Sequence, residues 1–125
     1  MTKQAPPTIL WLPDVEEHRY PAAASYLGLI HPAERVDEIV KSLRAASIVQ
    51  FQSKDIFRAS RLSLLGVSDS RVERDRQKIR KGEPLSPLLL LRDEAHGTVV
   101  VADGYHRLCA IYGFDEDTWI HCKIV

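Results

Sequence analysis

The sequence predicts an α+β domain: a small sheet flanked by helices, behind a mainly helical N-terminal stretch. Three observations carry that expectation. Residues 32–46 place Val36, Ile39, Val40 and Leu43 at helical spacing, forming one apolar stripe. Residues 88–91 and 99–101 are apolar runs joined by a loop containing Gly97, the pattern of buried central strands. Residues 119–125 alternate, with Trp119, His121, Lys123 and Val125 on one side and Ile120, Cys122 and Ile124 on the other, as in a half-buried strand. A length of 125 residues suits one domain, and 45% apolar with 27% charged residues is an ordinary folded composition.

The remaining elements follow in chain order. Residues 8–12 are apolar and stop at Pro13, which suggests an edge strand. Residues 21–30 read as a short helix with Pro21 in its first turn, and Pro32 opens the next helix with Glu34 near its positive end. Residues 48–52 form a strand pattern, followed by a short helix over 53–59 with Ser53 as N-cap. Residues 62–67 are an apolar loop. Ser70 and Glu73 have capping-box spacing, opening a helix to about Lys81 with Gly82 at the left-handed position after it. A last helix runs from residue 105 or 106 to 112, closed by Gly113.

Net charge is zero, with seventeen Lys and Arg against seventeen Asp and Glu, which weighs against a protein that coats nucleic acid. The balance is uneven. Residues 1–57 carry net −1, residues 58–81 net +5 and residues 82–125 net −4. The basic middle reads either as a solvated helix with pairs such as Arg71–Asp75, or as a surface for a polyanion. Two cysteines, Cys109 and Cys122, are too few for a disulfide framework, and the start lacks the apolar core of a signal peptide. The expectation is a cytoplasmic chain with reduced thiols and no membrane contact.

The chemistry concentrates at residues 99–110, Val-Val-Val-Ala-Asp-Gly-Tyr-His-Arg-Leu-Cys-Ala. An apolar strand ends, Gly104 permits a tight turn and a helix begins, leaving backbone N–H groups free to bind an anion. His106 and Arg107 place further donors on its rim, although their charge opposes the helix dipole. Asp103 is positioned to cap the helix, to hold Mg²⁺ beside a phosphate, or to accept a proton as a catalytic base. A zinc reading from His106, Cys109, His121 and Cys122 is disfavoured, because His121 and Cys122 point to opposite strand faces. No metal site is expected from protein ligands alone.

Residues 69–125 resemble the ParB/sulfiredoxin-like domain family. The resemblance rests on the charged helix over 72–81, Leu85-Ser86-Pro87 leading into a strand, a second strand over 98–102, the Asp103-Gly104-Tyr105-His106-Arg107 turn and the final strand. It implies a small mixed sheet with flanking helices in a single domain over 1–125, with a mainly helical extension over 1–47 and the family core over 48–125. The family's turn binds nucleotide phosphates, so Gly104, Tyr105, His106 and Arg107, with Ser86 and Pro87 beside them, are the implied binding residues. The implied cofactor is ATP, ADP or CTP with Mg²⁺. Sulfiredoxin carries its catalytic cysteine where this chain has Tyr105, so sulfinic-acid reduction is not expected. ParB continues into a helix-turn-helix domain, whereas this sequence ends at Val125, so centromere-like DNA binding is not expected either.

The functional expectation is a nucleotide-binding domain of small stand-alone bacterial type, acting as an NTP hydrolase or small-molecule phosphotransferase. The alternative is a DNA-associated regulatory or protein-interaction module without catalysis. Its weak nucleic-acid contact would run through Arg71, Arg74, Lys78 and Lys81. A homodimer is compatible with either.

Overall fold

A computed structural model of the chain describes residues 5–66 and 68–125. Val67, in the expected apolar loop, lies outside the described residues. The elements are α1 (Arg19–Leu27), α2 (Ala33–Ala45), β1 (Val49–Gln52), α3 (Ser53–Ser60), α4 (Ser70–Arg80), β2 (Leu88–Asp93), β3 (Thr98–Asp103), α5 (Tyr105–Phe114) and β4 (Trp119–Ile124), with a short 3₁₀ turn, Glu94–His96, between β2 and β3. The architecture is α+β around a small mixed sheet.

The sheet order is β1-β4-β2-β3. The inner pair, β2 and β4, is parallel, while each outer strand pairs antiparallel to its neighbour. Strand β2 has partners on both edges and helices over both faces, which explains its unbroken leucine run. Leu88 and Leu90 face one core with α3, α4 and α5, and Leu89 and Leu91 face a second core with α1 and α2. The N-terminal extension thus covers the β2–β3 part of one sheet face, through Tyr20, Ala23 and Leu27 of α1 and Val36, Ile39 and Leu43 of α2. Full burial of each large apolar side chain contributes about 1.5–3 kcal/mol.

Strand β3 is an edge strand, not the central one expected. Strand β4 inserts between β1 and β2, leaving β3 one neighbour. Its valines are nonetheless partly or fully buried, because α1 and α3 both pack against it. The β2–β3 register shifts between Leu89 and Leu90, so Asp103 pairs with Leu89 and Val101 with Leu90. Ala102 is the extra residue, a bulge that re-aims the strand end just before the turn.

Several local expectations shift. Residues 8–12 make only one bridge, between Trp11 and Leu85, held by Leu12 N–H to Leu85 O at 2.8 Å and Leu85 N–H to Leu10 O at 2.8 Å. Pro13, Pro84 and Pro87 lack the N–H groups that would extend the ladder. Helix α1 ends at Leu27 rather than Ile30. Ser53 is not a cap: Gln52 occupies that position, and the Ser53 N–H donates to Thr118 O at 2.8 Å. The Ser70–Glu73 capping box does not form, because Asp69 accepts from Arg71 N at 2.9 Å and Val72 N at 3.2 Å. Gly113 lies within α5, whose last turn continues until Asp115 N–H reaches Ile111 O at 3.0 Å. Gly82 does take the left-handed position after α4, with φ +73°.

Among the described residues no helix is long and apolar enough to cross a membrane.

Candidate functional site

The turn from β3 into α5 is built around Gly104, at φ +112°. A Cβ there would sit 2.5 Å from Leu88 Cγ and 3.0 Å from Arg107 Nη2, so only glycine fits the tight turn. Gly104 is also the N-cap of α5 and no side chain caps the helix, which leaves the N–H groups of its first turn facing outward. Asp103 is therefore not the cap. Its Oδ2 accepts from Arg107 Nη2 at 2.7 Å.

Arg107 does not stand on the rim as expected. It is 4% exposed and runs beneath the turn. Its Nε donates to Ser86 O at 3.1 Å and its Nη2 to Pro87 O at 3.4 Å. Burial pulls its guanidinium down from the ordinary value and the Asp103 carboxylate opposes this. Arginine remains charged under such conditions. Ser86 and Pro87 are buried behind the turn, where their carbonyls hold Arg107. Ser86 Oγ accepts from Glu16 N at 3.0 Å, joining the turn to the N-terminal segment. Tyr105 points elsewhere: its Oη donates to Ser63 O, and its ring packs on the core that includes Leu108 and Cys109.

A cavity of about 190 Å³ opens in front of the turn. Asp103, Gly104, His106 and Arg107 line it from below. Arg71, Arg74, Asp75 and Lys78 of α4 form one wall, and Arg19 of α1 another. The spacing of the α4 residues places all four on a single helix face. Five cations thus meet two carboxylates. Arg19 is held by Glu16 through Nε at 3.2 Å and Nη2 at 3.0 Å, and Arg107 by Asp103. Arg71, Arg74 and Lys78 make no ion pair among the described residues. Lys81 does not line the cavity.

The expected Arg71–Asp75 pair does not form. Asp75 instead faces the cavity, where among the described residues its carboxylate makes no hydrogen bond or ion pair. Burial raises its pKa above the ordinary carboxylate value, against the pull of Arg107, Lys78, Arg19 and His106. At the N-terminal end of α4, backbone N–H groups hold the Asp69 carboxyl below its ordinary value.

No group of three or more His, Cys, Asp or Glu side chains able to hold a metal occurs among the described residues. Cys109 lies in the core and accepts from Leu65 N at 3.5 Å. Burial pushes the Cys122 thiol up to about 12. His121 stacks on Trp11, with ring centroids 4.9 Å apart, while His106 lines the cavity. The zinc set is dispersed.

Sequence reasoning found the turn and the three α4 cations but treated them separately; the fold brings them together. It missed Arg19, which carries no motif signal, and Asp75, whose signal was its shared face with Arg71, Arg74 and Lys78. No protein-family model, no curated protein and no solved structure matches the chain.

Proposed function

We propose that the chain is a ParB/sulfiredoxin-like domain that binds the phosphate end of a nucleotide at the α4–α5 cavity. One observation carries the reading: Arg71, Arg74 and Lys78, unpaired among the described residues, converge with Arg19 on the open first turn of α5. Unneutralised cations facing backbone N–H groups are the chemistry of an anion site. At about 190 Å³ the cavity is smaller than the roughly 300–1,000 Å³ of sites that enclose whole small molecules. It fits a phosphate or a short polyphosphate end, with the nucleoside outside.

In this reading the N–H groups of residues 105–107 and the His106 side chain contact phosphate oxygens. Arg74, Arg71 and Lys78 neutralise them from α4. Asp103 orients Arg107 through their ion pair and is a positioning residue, which replaces the role of base expected for it. Mg²⁺, where present, would be held largely by phosphate oxygens and water, in keeping with its reluctance to dehydrate. Electrostatic stabilisation of charge on a transferring phosphoryl group is what this set of residues offers an NTP hydrolase or phosphotransferase. The same cations would also attract a nucleic-acid backbone, but their convergence on a small concave space favours a phosphate at the end of a molecule.

The test is thermal unfolding with ATP, ADP and CTP, each with and without Mg²⁺. A nucleotide at one hundred times its Kd stabilises by about 2.7 kcal/mol. The expected result is such a shift in the wild type and its loss in the Arg74→Ala/Lys78→Ala variant. No shift with any of the three nucleotides overturns the reading.

A further inference from the structure

The cavity contains a group that a generic anion site would avoid. Asp75 lies on the same face of α4 as Arg71, Arg74 and Lys78 and lines the same space. Among the described residues nothing bonds to its carboxylate. Asp103, the other carboxylate there, has its charge met by Arg107, whose Nη2 donates to Oδ2 at 2.7 Å.

An ionised carboxylate only accepts hydrogen bonds. Beside a bound anion it repels, unless a proton lies between the two. We infer that Asp75 makes the cavity selective for a terminal phosphate carrying a proton, over sulfate and over a phosphodiester. The inference rests on the reading of this cavity as an anion site. The ligand class it names is inorganic phosphate or a phosphate monoester, including the end phosphate of a nucleotide.

The proton arithmetic separates these ligands. Inorganic phosphate carries at least one proton at neutral pH, and that O–H donates to Asp75 while the other oxygens face the cations. A monoester has its second ionisation near pH 6, so a proton is readily held between it and the carboxylate. Sulfate and phosphodiesters have no such proton near neutrality, and against them Asp75 stands as an uncompensated charge.

Isothermal titration calorimetry with inorganic phosphate, sulfate and dimethyl phosphate at about pH 7 tests this. In the wild type, phosphate should bind about tenfold or more tighter than the other two, the scale of one hydrogen bond to a charged group. In Asp75→Asn, whose amide donates to any anion, the phosphate-to-sulfate ratio should fall to about one. Asp75→Ser provides a second neutral donor should the asparagine variant not fold, and should show the same collapse. Equal wild-type affinity for phosphate and sulfate, or a ratio unchanged in the variants, overturns the inference and leaves the anion site standing. Binding of none of the three anions by the wild type overturns both.

Discussion

Asp75 costs the folded protein stability at neutral pH, because burial raises its pKa above the ordinary value of 3.8. The folded state holds the proton more tightly than the unfolded state, so stability from this group is present below the unfolded pKa and is lost as pH rises through the folded one. Asp75→Asn is therefore expected to raise the melting temperature at pH 7. The gain should shrink as pH falls to about 3, where the wild-type carboxyl is largely protonated and neutral, as the variant's amide is at every pH. Thermal unfolding at both pH values checks this; a variant less stable than wild type at pH 7 contradicts it. A side chain that lowers stability while lining a cavity fits a binding role. At this scale the sequence was readable where the chemistry is local. The strand, glycine and helix succession at residues 101–107 reveals the turn because Gly104 and the free N–H groups are neighbours in the chain. Whether Arg107 points out to a ligand or under the turn depends on carbonyls some twenty residues earlier, at Ser86 and Pro87, and no local pattern encodes that.

Helix α4 supplies most of the cavity's positive charge, and its N-terminus is fixed by the Asp69 carboxylate on the N–H groups of Arg71 and Val72. Arg71 is thus both a capped residue and a cavity wall. Asp69→Ala should destabilise the protein by about 1 kcal/mol in denaturant titration, the usual worth of an N-cap. It should also weaken phosphate binding, since fraying displaces Arg71 first. Unchanged stability and affinity would show that the first turn of α4 holds itself. The helix was legible in the sequence; its cap was not. Asp69 and Ser70 are both good caps, and the apparent capping box favoured Ser70 by one position. Only Val72 and Ile79 of this helix reach the core fully, so weak periodicity left the register to the cap. The identity of β3 as an edge strand was hidden for a different reason. Its valines report burial by α1 and α3, not position in the sheet, and strand order is settled by where β4 inserts.

On the scale of the molecule, the sheet has two apolar faces and each has its own helices. The helices α1 and α2 cover Leu89, Leu91 and Ala102. A chain reduced to residues 48–125 would leave that face in water. It is expected to lose cooperative thermal unfolding and to bind a hydrophobic dye, as states with exposed cores do. A sharp melting transition in that fragment would show the first two helices to be dispensable. Periodicity identified α2 from its stripe, because Val36, Ile39 and Leu43 recur on one side of the helix. What that stripe covers could not be read from it, since the sheet face opposite is assembled from strands more than forty residues further on.

The hydrogen bond from Glu16 N–H to Ser86 Oγ has a wider effect than its 3.0 Å suggests. Glu16 also grips Arg19, and Ser86 also grips Arg107, so one linkage sets the separation of two guanidinium groups at the cavity. The cavity thereby joins the first helix and the last to the wall formed by α4. An anion seated there would act as a clasp between chain segments that are far apart in sequence. Opening the clasp would release long loops rather than a local turn, so occupancy should be felt across the whole unfolding transition and not only in the turn that touches the ligand.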